Sequence, residues 1–166
     1  MTDVTTPNWA AQVVDRYERP LLAYACRMLG GDHSGAQDAV QETFLRLCRA
    51  DRGSIEPRLA AWLFSVCRSR VIDMQRTRNA TPTDPTSIDF PDPAPDASQA
   101  LCDAEDKSHL SDCLGRLSSR QQEVLRLRLD AGLSYREIAD VTGLTVSNVG
   151  FHLHEAVRQL RQLIAN

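Results

Sequence analysis

Leu133-Ser-Tyr-Arg-Glu-Ile-Ala-Asp-Val-Thr-Gly-Leu-Thr-Val-Ser-Asn-Val149 reads as two short helices set at a fixed angle by a tight turn. Ser134 with Glu137 three residues on is a capping-box start, in which each side chain bonds the other residue's backbone N–H. Ile138, Ala139 and Val141 give the first helix a small apolar face. Gly143 permits the corner, because glycine enters left-handed backbone without a Cβ penalty. Thr145 caps a second helix whose apolar positions Val146, Val149, Leu153, Ala156, Leu160 and Leu163 step by three and four. This is the plan of a helix-turn-helix, whose first helix braces while the second enters the major groove of DNA. An ordinary helical hairpin shares the spacing, so the rest of the chain decides.

The 166 residues suffice for one domain or two small ones. Apolar residues recur at helical spacing and no run of β-branched residues marks a strand, so the expected fold is all-α. No stretch approaches the roughly 20 apolar residues that a membrane span needs. Met1-Thr-Asp-Val-Thr-Thr-Pro-Asn8 has neither the basic start nor the apolar core of a secretion signal, and the expected location is cytoplasmic. The five cysteines, Cys26, Cys48, Cys67, Cys102 and Cys113, lie eleven or more residues apart. That is not the paired spacing of a zinc site, and most read as reduced thiols serving as small apolar residues. No metal or cofactor is expected.

Formal net charge is −3 at neutral pH, unevenly spread. Residues 9–79 hold eleven Arg against eight acids, and residues 118–166 hold six Arg against five. Residues 80–117 hold one Lys and one Arg against eight acids, so two mildly positive segments flank an acidic bridge. That balance permits nucleic-acid binding without demanding it, since the contacting face outweighs the sum. Within the bridge, residues 80–98 carry five prolines and four aspartates with few apolar anchors. Such a stretch cannot bury enough surface to offset its ordering entropy, so 80–102 is expected to be a flexible acidic linker. Small helical domains are expected on either side, over 9–79 and 103–166.

The first domain offers three helices. One covers 9–29, with Val13, Val14, Tyr17, Leu21, Tyr24 and Met28 inward and Gly30-Gly31 ending it. Pro20 is expected to kink or restart it. Ser34 is read as opening a second helix to Arg49, with Ala36, Val40, Thr43, Phe44 and Leu47 inward. After a loop over 50–56, Pro57 starts a third helix to Arg78, whose expected inner set is Leu59, Trp62, Leu63, Val66 and Ile72. In the second domain a helix near 103–117 presents Leu110, Leu114 and Leu117. Ser118 with Gln121 is another capping box, opening a helix to Ala131 that Gly132 closes.

Together these segments resemble the extracytoplasmic-function (ECF) sigma factors of bacterial RNA polymerase. Ala36-Gln-Asp-Ala-Val-Gln-Glu-Thr-Phe-Leu-Arg-Leu47 is similar to their core-binding helix, and Trp62-Leu-Phe-Ser-Val-Cys-Arg-Ser-Arg-Val-Ile-Asp73 to their promoter-melting helix. Leu117-Ser-Ser-Arg-Gln-Gln-Glu-Val-Leu-Arg-Leu127 and Leu133-Ser-Tyr-Arg-Glu-Ile-Ala139 are similar to their second DNA-binding domain. The likeness covers nearly the whole chain outside the linker and the first few residues, with both modules in the family's order. It implies a non-catalytic subunit that binds polymerase core, recognises two promoter elements and helps open the DNA. It also implies an anti-sigma protein as a further partner.

Asp38, Gln41, Glu42 and Leu45 share one helix face by their spacing, and the resemblance implies that this face docks on the polymerase core. For the minus-ten element the candidates are Arg52 and Ser54 in the loop, with Arg68, Ser69, Arg70 and Arg76 on the third helix. Strand opening needs contacts to an unstacked base and to phosphates, for which loop 51–56 is the expected base pocket and Trp62 is read as core. Ser69 stands where many relatives have Asn. For the minus-thirty-five element the candidates are Thr145, Ser147, Asn148, Gly150, Phe151, His152 and His154. Asn can read adenine and Phe can meet a thymine methyl, whereas Glu155 would repel phosphate or accept from cytosine. Relatives commonly carry several basic residues along this helix. His152 and His154, two apart, do not share a face and do not suit a metal.

Two other readings compete. A stand-alone helix-turn-helix regulator needs a receiver or ligand domain upstream, and residues 9–79 lack the βαβ alternation of a receiver. A small helical enzyme needs a nucleophile–base grouping, a phosphate loop or a carboxylate–histidine cluster, and the sequence shows none.

Overall fold

A computed structural model describes residues 6–80 and 101–166, so most of the expected linker lies outside the described residues. The chain divides into two compact units, Met1–Asp92 and Pro93–Asn166. Among the described residues every regular element is a helix, in agreement with the all-α expectation. No helix among them is long and apolar enough to cross a membrane.

The first unit holds α1 (Thr6–Met28), α2 (His33–Arg49), α3 (Arg52–Ile55), a 3₁₀ turn (Glu56–Arg58) and α4 (Leu59–Ala80). α1 runs unbroken through Pro20, so no restart occurs. The carbonyl left without a partner belongs to Arg16, an exposed position where water can serve it. Gly30 and Gly31, at φ 65° and 92°, end the helix as expected. Their N–H groups donate to the carbonyls of Arg27 and Cys26 at 3.3 and 2.9 Å. α2 is opened by Asp32 rather than Ser34, its carboxylate accepting the Gly35 N–H at 3.0 Å. The same carboxylate holds the Arg78 guanidinium from the far end of α4. The Gly35 N–H, then the Arg78 cation, keep the Asp32 carboxyl below its ordinary range. A Cβ at Gly35 would lie 2.6 Å from Asp32 Oδ2, so a side chain there would displace the capping carboxylate.

Leu21, Tyr24, Ala36, Ala39, Leu47, Leu63, Phe64, Cys67 and Val71 form the core of this unit. Tyr24 meets Phe64 edge to face, with ring centroids 5.5 Å apart. Such a pair adds about 0.5–1.5 kcal/mol to the burial of its area. The expected inner set of α4 is out of phase with this: Leu63 is buried, but Leu59, Trp62, Val66 and Ile72 are only half-buried. Ala61, Phe64, Cys67 and Val71 take the inner positions instead. α4 is apolar on nearly every side, so periodicity alone does not set its rotation; packing on α1 and α2 does. Thr43, fully buried, satisfies its hydroxyl on the Ala39 carbonyl at 2.8 Å. Burial pushes the neighbouring Cys67 thiol up to about 12 and leaves it inert. Cys67 and Cys113 are buried as small apolar residues, whereas Cys26 is half-exposed and Cys48 exposed.

The second unit holds α5 (Leu101–Gly115), α6 (Ser119–Leu129), α7 (Tyr135–Thr142) and α8 (Val146–Ala165). Both capping boxes form: Ser118 with Gln121, and Ser134 with Glu137. α6 stops at Leu129, short of Ala131, and the chain turns at Gly132 (φ 67°) so that the Leu133 N–H reaches the Leu127 carbonyl at 3.1 Å. Gly143 takes φ 76° and its N–H closes α7 on the Ala139 carbonyl. Thr145 caps α8 by accepting the Asn148 N–H at 3.1 Å. Two residues therefore separate a helix stop from the next helix cap, which is the corner expected from the sequence. Val149, Leu153 and Ala156 are buried, but Val146 is 48% exposed because the buried stripe of α8 begins one turn in. Leu110 is also exposed, against expectation. α5 turns His109, Asp112, Cys113 and Arg116 toward the Leu163–Asn166 end of α8, which points Leu110 away.

Candidate functional site

Three exposed helix faces carry the residues singled out in the sequence. On α2, Asp38, Gln41 and Leu45 are exposed and Glu42 half-buried, while Ala36, Ala39, Val40, Thr43 and Leu47 face the core. At 100° per residue the first set spans a narrow arc opposite the second. The four candidates therefore stand together. Glu42 pairs with Arg46 at 3.3 Å, both partly exposed, so its charge remains available to solvent and is weakly held. Leu45, 47% exposed, is the apolar centre of an otherwise polar face.

The second face is divided between α3 and α4. The expected loop contains the helical turn of α3, anchored by buried Ile55. Ser54 donates its hydroxyl to the Asp51 carbonyl at 2.9 Å. Arg52 is engaged rather than open: it donates to both carboxylate oxygens of Glu56 at 3.3 and 3.2 Å, and lies 4.8 Å from the Trp9 ring centroid. On α4, Ser69, Asp73 and Arg76 are exposed on one face, and Trp62 shares it at a spacing of seven from Ser69. Trp62, read as core, is half-buried, at a position on the side of α4 opposite Leu63, Phe64 and Cys67. Arg68 and Arg70, both half-buried, flank this face on opposite sides.

The third face belongs to α8. Ser147, Phe151, His154 and Arg158 form one exposed stripe at spacings of four, three and four. Phe151 is 61% exposed, a large apolar surface whose ring lies edge to face with that of His152 at a 5.7 Å centroid distance. Asn148 and Thr145 are exposed beside the stripe, whereas His152 is half-buried on the flank with Glu155. Glu155 does not stand as a bare anion. Arg158 forks onto it at 3.2 and 2.7 Å, lowering the carboxyl and raising the guanidinium from their ordinary ranges. Gly150 lies beneath the ring of Tyr135, whose nearest atom would be 3.6 Å from a Cβ at that position. Arg128 reaches over the same ring at 5.4 Å while bonding the Leu133 carbonyl at 2.8 Å. Tyr135 and Arg128 thus join the surface of α8 from 15 and 22 residues before Gly150, beyond the reach of any local spacing rule.

Comparison with known proteins matches both units. The Sigma-70 region 2 family model covers residues 13–81, and the Sigma-70 region 4 model covers 108–160. The chain is 34% identical over 152 residues to the ECF RNA polymerase sigma factor SigL of Mycobacterium tuberculosis, covering 89% of this chain and 84% of that one. It is 30% identical over 167 residues to the ECF RNA polymerase sigma factor SigE of Mycolicibacterium smegmatis, covering 96% of this chain and 62% of that one. Two solved structures share the fold. CnrH in complex with the cytosolic domain of CnrY aligns with a TM-score of 0.61 at 24% identity, over 94% of this chain and 87% of that one. The sigma factor RpoE of Bartonella quintana in complex with the anti-sigma factor NepR aligns with 0.62 at 22% identity, over 93% and 96%.

Proposed function

The chain belongs to the ECF sigma factors of RNA polymerase, and from that membership we propose how its three exposed faces divide the work. It is an alternative sigma factor, directing polymerase core to promoters for transcription initiation. The α2 face of Asp38, Gln41, Glu42 and Leu45 docks on core, with Leu45 as the apolar anchor inside a polar rim. The α3 turn and the outer face of α4 hold the opened minus-ten element. Arg68, Arg70 and Arg76 track phosphates, Ser69 and Ser54 supply neutral donors, and residues 51–56 receive an unstacked base. α8 reads the minus-thirty-five element in the major groove through Ser147, Asn148, Phe151 and His154, with Thr145 and the close approach at Gly150 seating the helix. His152, half-buried, supports Phe151 rather than reaching a base.

The observation that carries this reading is that both Sigma-70 regions are matched in order, and that the helix-turn-helix of the second presents an outward stripe free of core duties. The protein acts in the cytoplasm, without catalysis of its own, and is restrained by an anti-sigma protein. That last partner is proposed because RpoE, which shares the fold, is seen with the anti-sigma factor NepR, and CnrH, which also shares it, with the cytosolic domain of CnrY. Run-off transcription with purified core polymerase tests the whole reading. Promoter-specific product that depends on added protein supports it. A shift of duplex DNA by the protein alone, with no effect on core, would instead mark a stand-alone regulator.

A further inference from the structure

Arg52 is the one cation of the α3 helix, and the manner of its engagement bears on its task. Its guanidinium spends two donors on Glu56, at 3.3 and 3.2 Å, and its Cζ lies over the Trp9 ring, 4.8 Å from the centroid. Trp9 lies near the start of α1, more than forty residues earlier in the chain. Glu56 opens the 3₁₀ turn that leads into α4. One side chain therefore ties the beginning of α1, the α3 turn and the entry to α4. Between the ties, a Cβ added at Gly53 would meet only the Asp51 carboxylate, at 3.9 Å, and Ile55 is buried, so the segment is fixed at its ends and by Ile55 and is uncrowded at Gly53.

We propose that the Trp9–Arg52–Glu56 contact is a strut that positions the 51–56 segment for base capture, and that Arg52 is a positioning residue rather than a phosphate contact. This rests on the reading of that segment as the minus-ten base pocket. A guanidinium forked onto a carboxylate through two donors while its carbon lies over an indole makes a fixed arrangement that an ammonium cannot reproduce. A phosphate contact, by contrast, needs only charge and tolerates lysine. The two roles also differ in salt dependence, because losing a phosphate contact to a single strand lowers the slope of log K against log salt by about 0.7.

The test uses holoenzyme reconstituted from core polymerase and the full chain, with binding to a fork-junction DNA carrying a single-stranded minus-ten element followed by fluorescence anisotropy across a salt series. Arg52→Lys and Trp9→Ala are each expected to weaken binding about two- to five-fold, the range of an exposed cation–π contact. The double variant should lose no more than either alone, Trp9→Phe should restore binding, and the salt slope should stay unchanged. Placing an abasic site at each minus-ten position in turn should erase the difference between variant and wild type at one position. Arg52→Lys binding like wild type, or a slope reduced in Arg52→Ala, would overturn the strut and return Arg52 to the phosphate. A Trp9→Ala defect that persists on every abasic template would also overturn it, reducing Trp9 to general stability. Wild-type holoenzyme that does not prefer forked over fully duplex DNA would instead remove the base-pocket reading, and the strut with it.

Discussion

At the residue scale, the face of α8 proposed to read DNA carries little charge. Its exposed stripe holds Ser147, Phe151 and His154, and the cation of that stripe, Arg158, is held by Glu155. Phe151 is expected to read by apolar contact. Phe151→Ala should weaken binding to the minus-thirty-five element about five-fold, or about 1 kcal/mol, the lower end of a base-specific contact. Replacing thymine by uracil at the contacted step should weaken wild type and leave the variant unaffected in an anisotropy titration. Equal sensitivity of both proteins to uracil would refute the contact. Gly150 makes a separate prediction. A Cβ there meets the Tyr135 ring at an ordinary contact distance, and glycine inside a helix is costly. Gly150→Ala should therefore stabilise the second unit by about 0.5–1 kcal/mol in urea unfolding followed by circular dichroism. Much of this scale was legible: Ser118, Ser134, Gly143 and Thr145 each carry a local rule that the structure obeys. Tyr135 over Gly150 and Arg52 over Trp9 were not, because contacts between distant residues leave no spacing to read.

Elements are where sequence reading and structure part. α2, α7 and α8 have one apolar side, and their rotation followed from the spacing of that side. α4 has apolar residues nearly all round, so its inner face was misassigned. What sets α4 is the unit around it: the Tyr24–Phe64 contact, the Gln75 amide donating to the Met28 carbonyl at 2.6 Å, and Arg78 on Asp32. Asp32 thus serves two helices, capping α2 and tethering the end of α4. Asp32→Ala should cost about 1 kcal/mol or more, the loss of a cap with its ion pair added. The pH dependence has a defined sign. The folded carboxyl titrates below its ordinary 3.8, so its contribution is complete above that value and is lost as pH falls through the folded pKa. Trp9 and Trp62, the two tryptophans, both lie in this unit, so indole fluorescence isolates it. Asp32→Asn should begin from lower stability and show a smaller loss of stability between pH 4 and pH 2 than wild type. Parallel acid limbs for the two proteins would contradict this role for Asp32.

For the whole molecule, two helical units carry faces of different chemistry along one chain. The order of the units was legible because each carries its own caps and glycine stops, and the all-α class because nothing alternates. The exposed faces were legible as spacing on α2 and α8, while the outer face of α4 emerged only once its rotation was fixed. Charge supports the same division, since residues 9–79 and 118–166 are mildly basic and the segment between them is acidic. In the proposed division of work, docking on core is the step on which both DNA-reading faces depend. It is tested most directly by titrating the fluorescently labelled full chain into bacterial core polymerase freed of its sigma subunit. Saturable binding is expected, abolished by Asp38→Ala with Gln41→Ala while helix content stays unchanged. Absence of binding by the wild-type chain would contradict the assignment at its root.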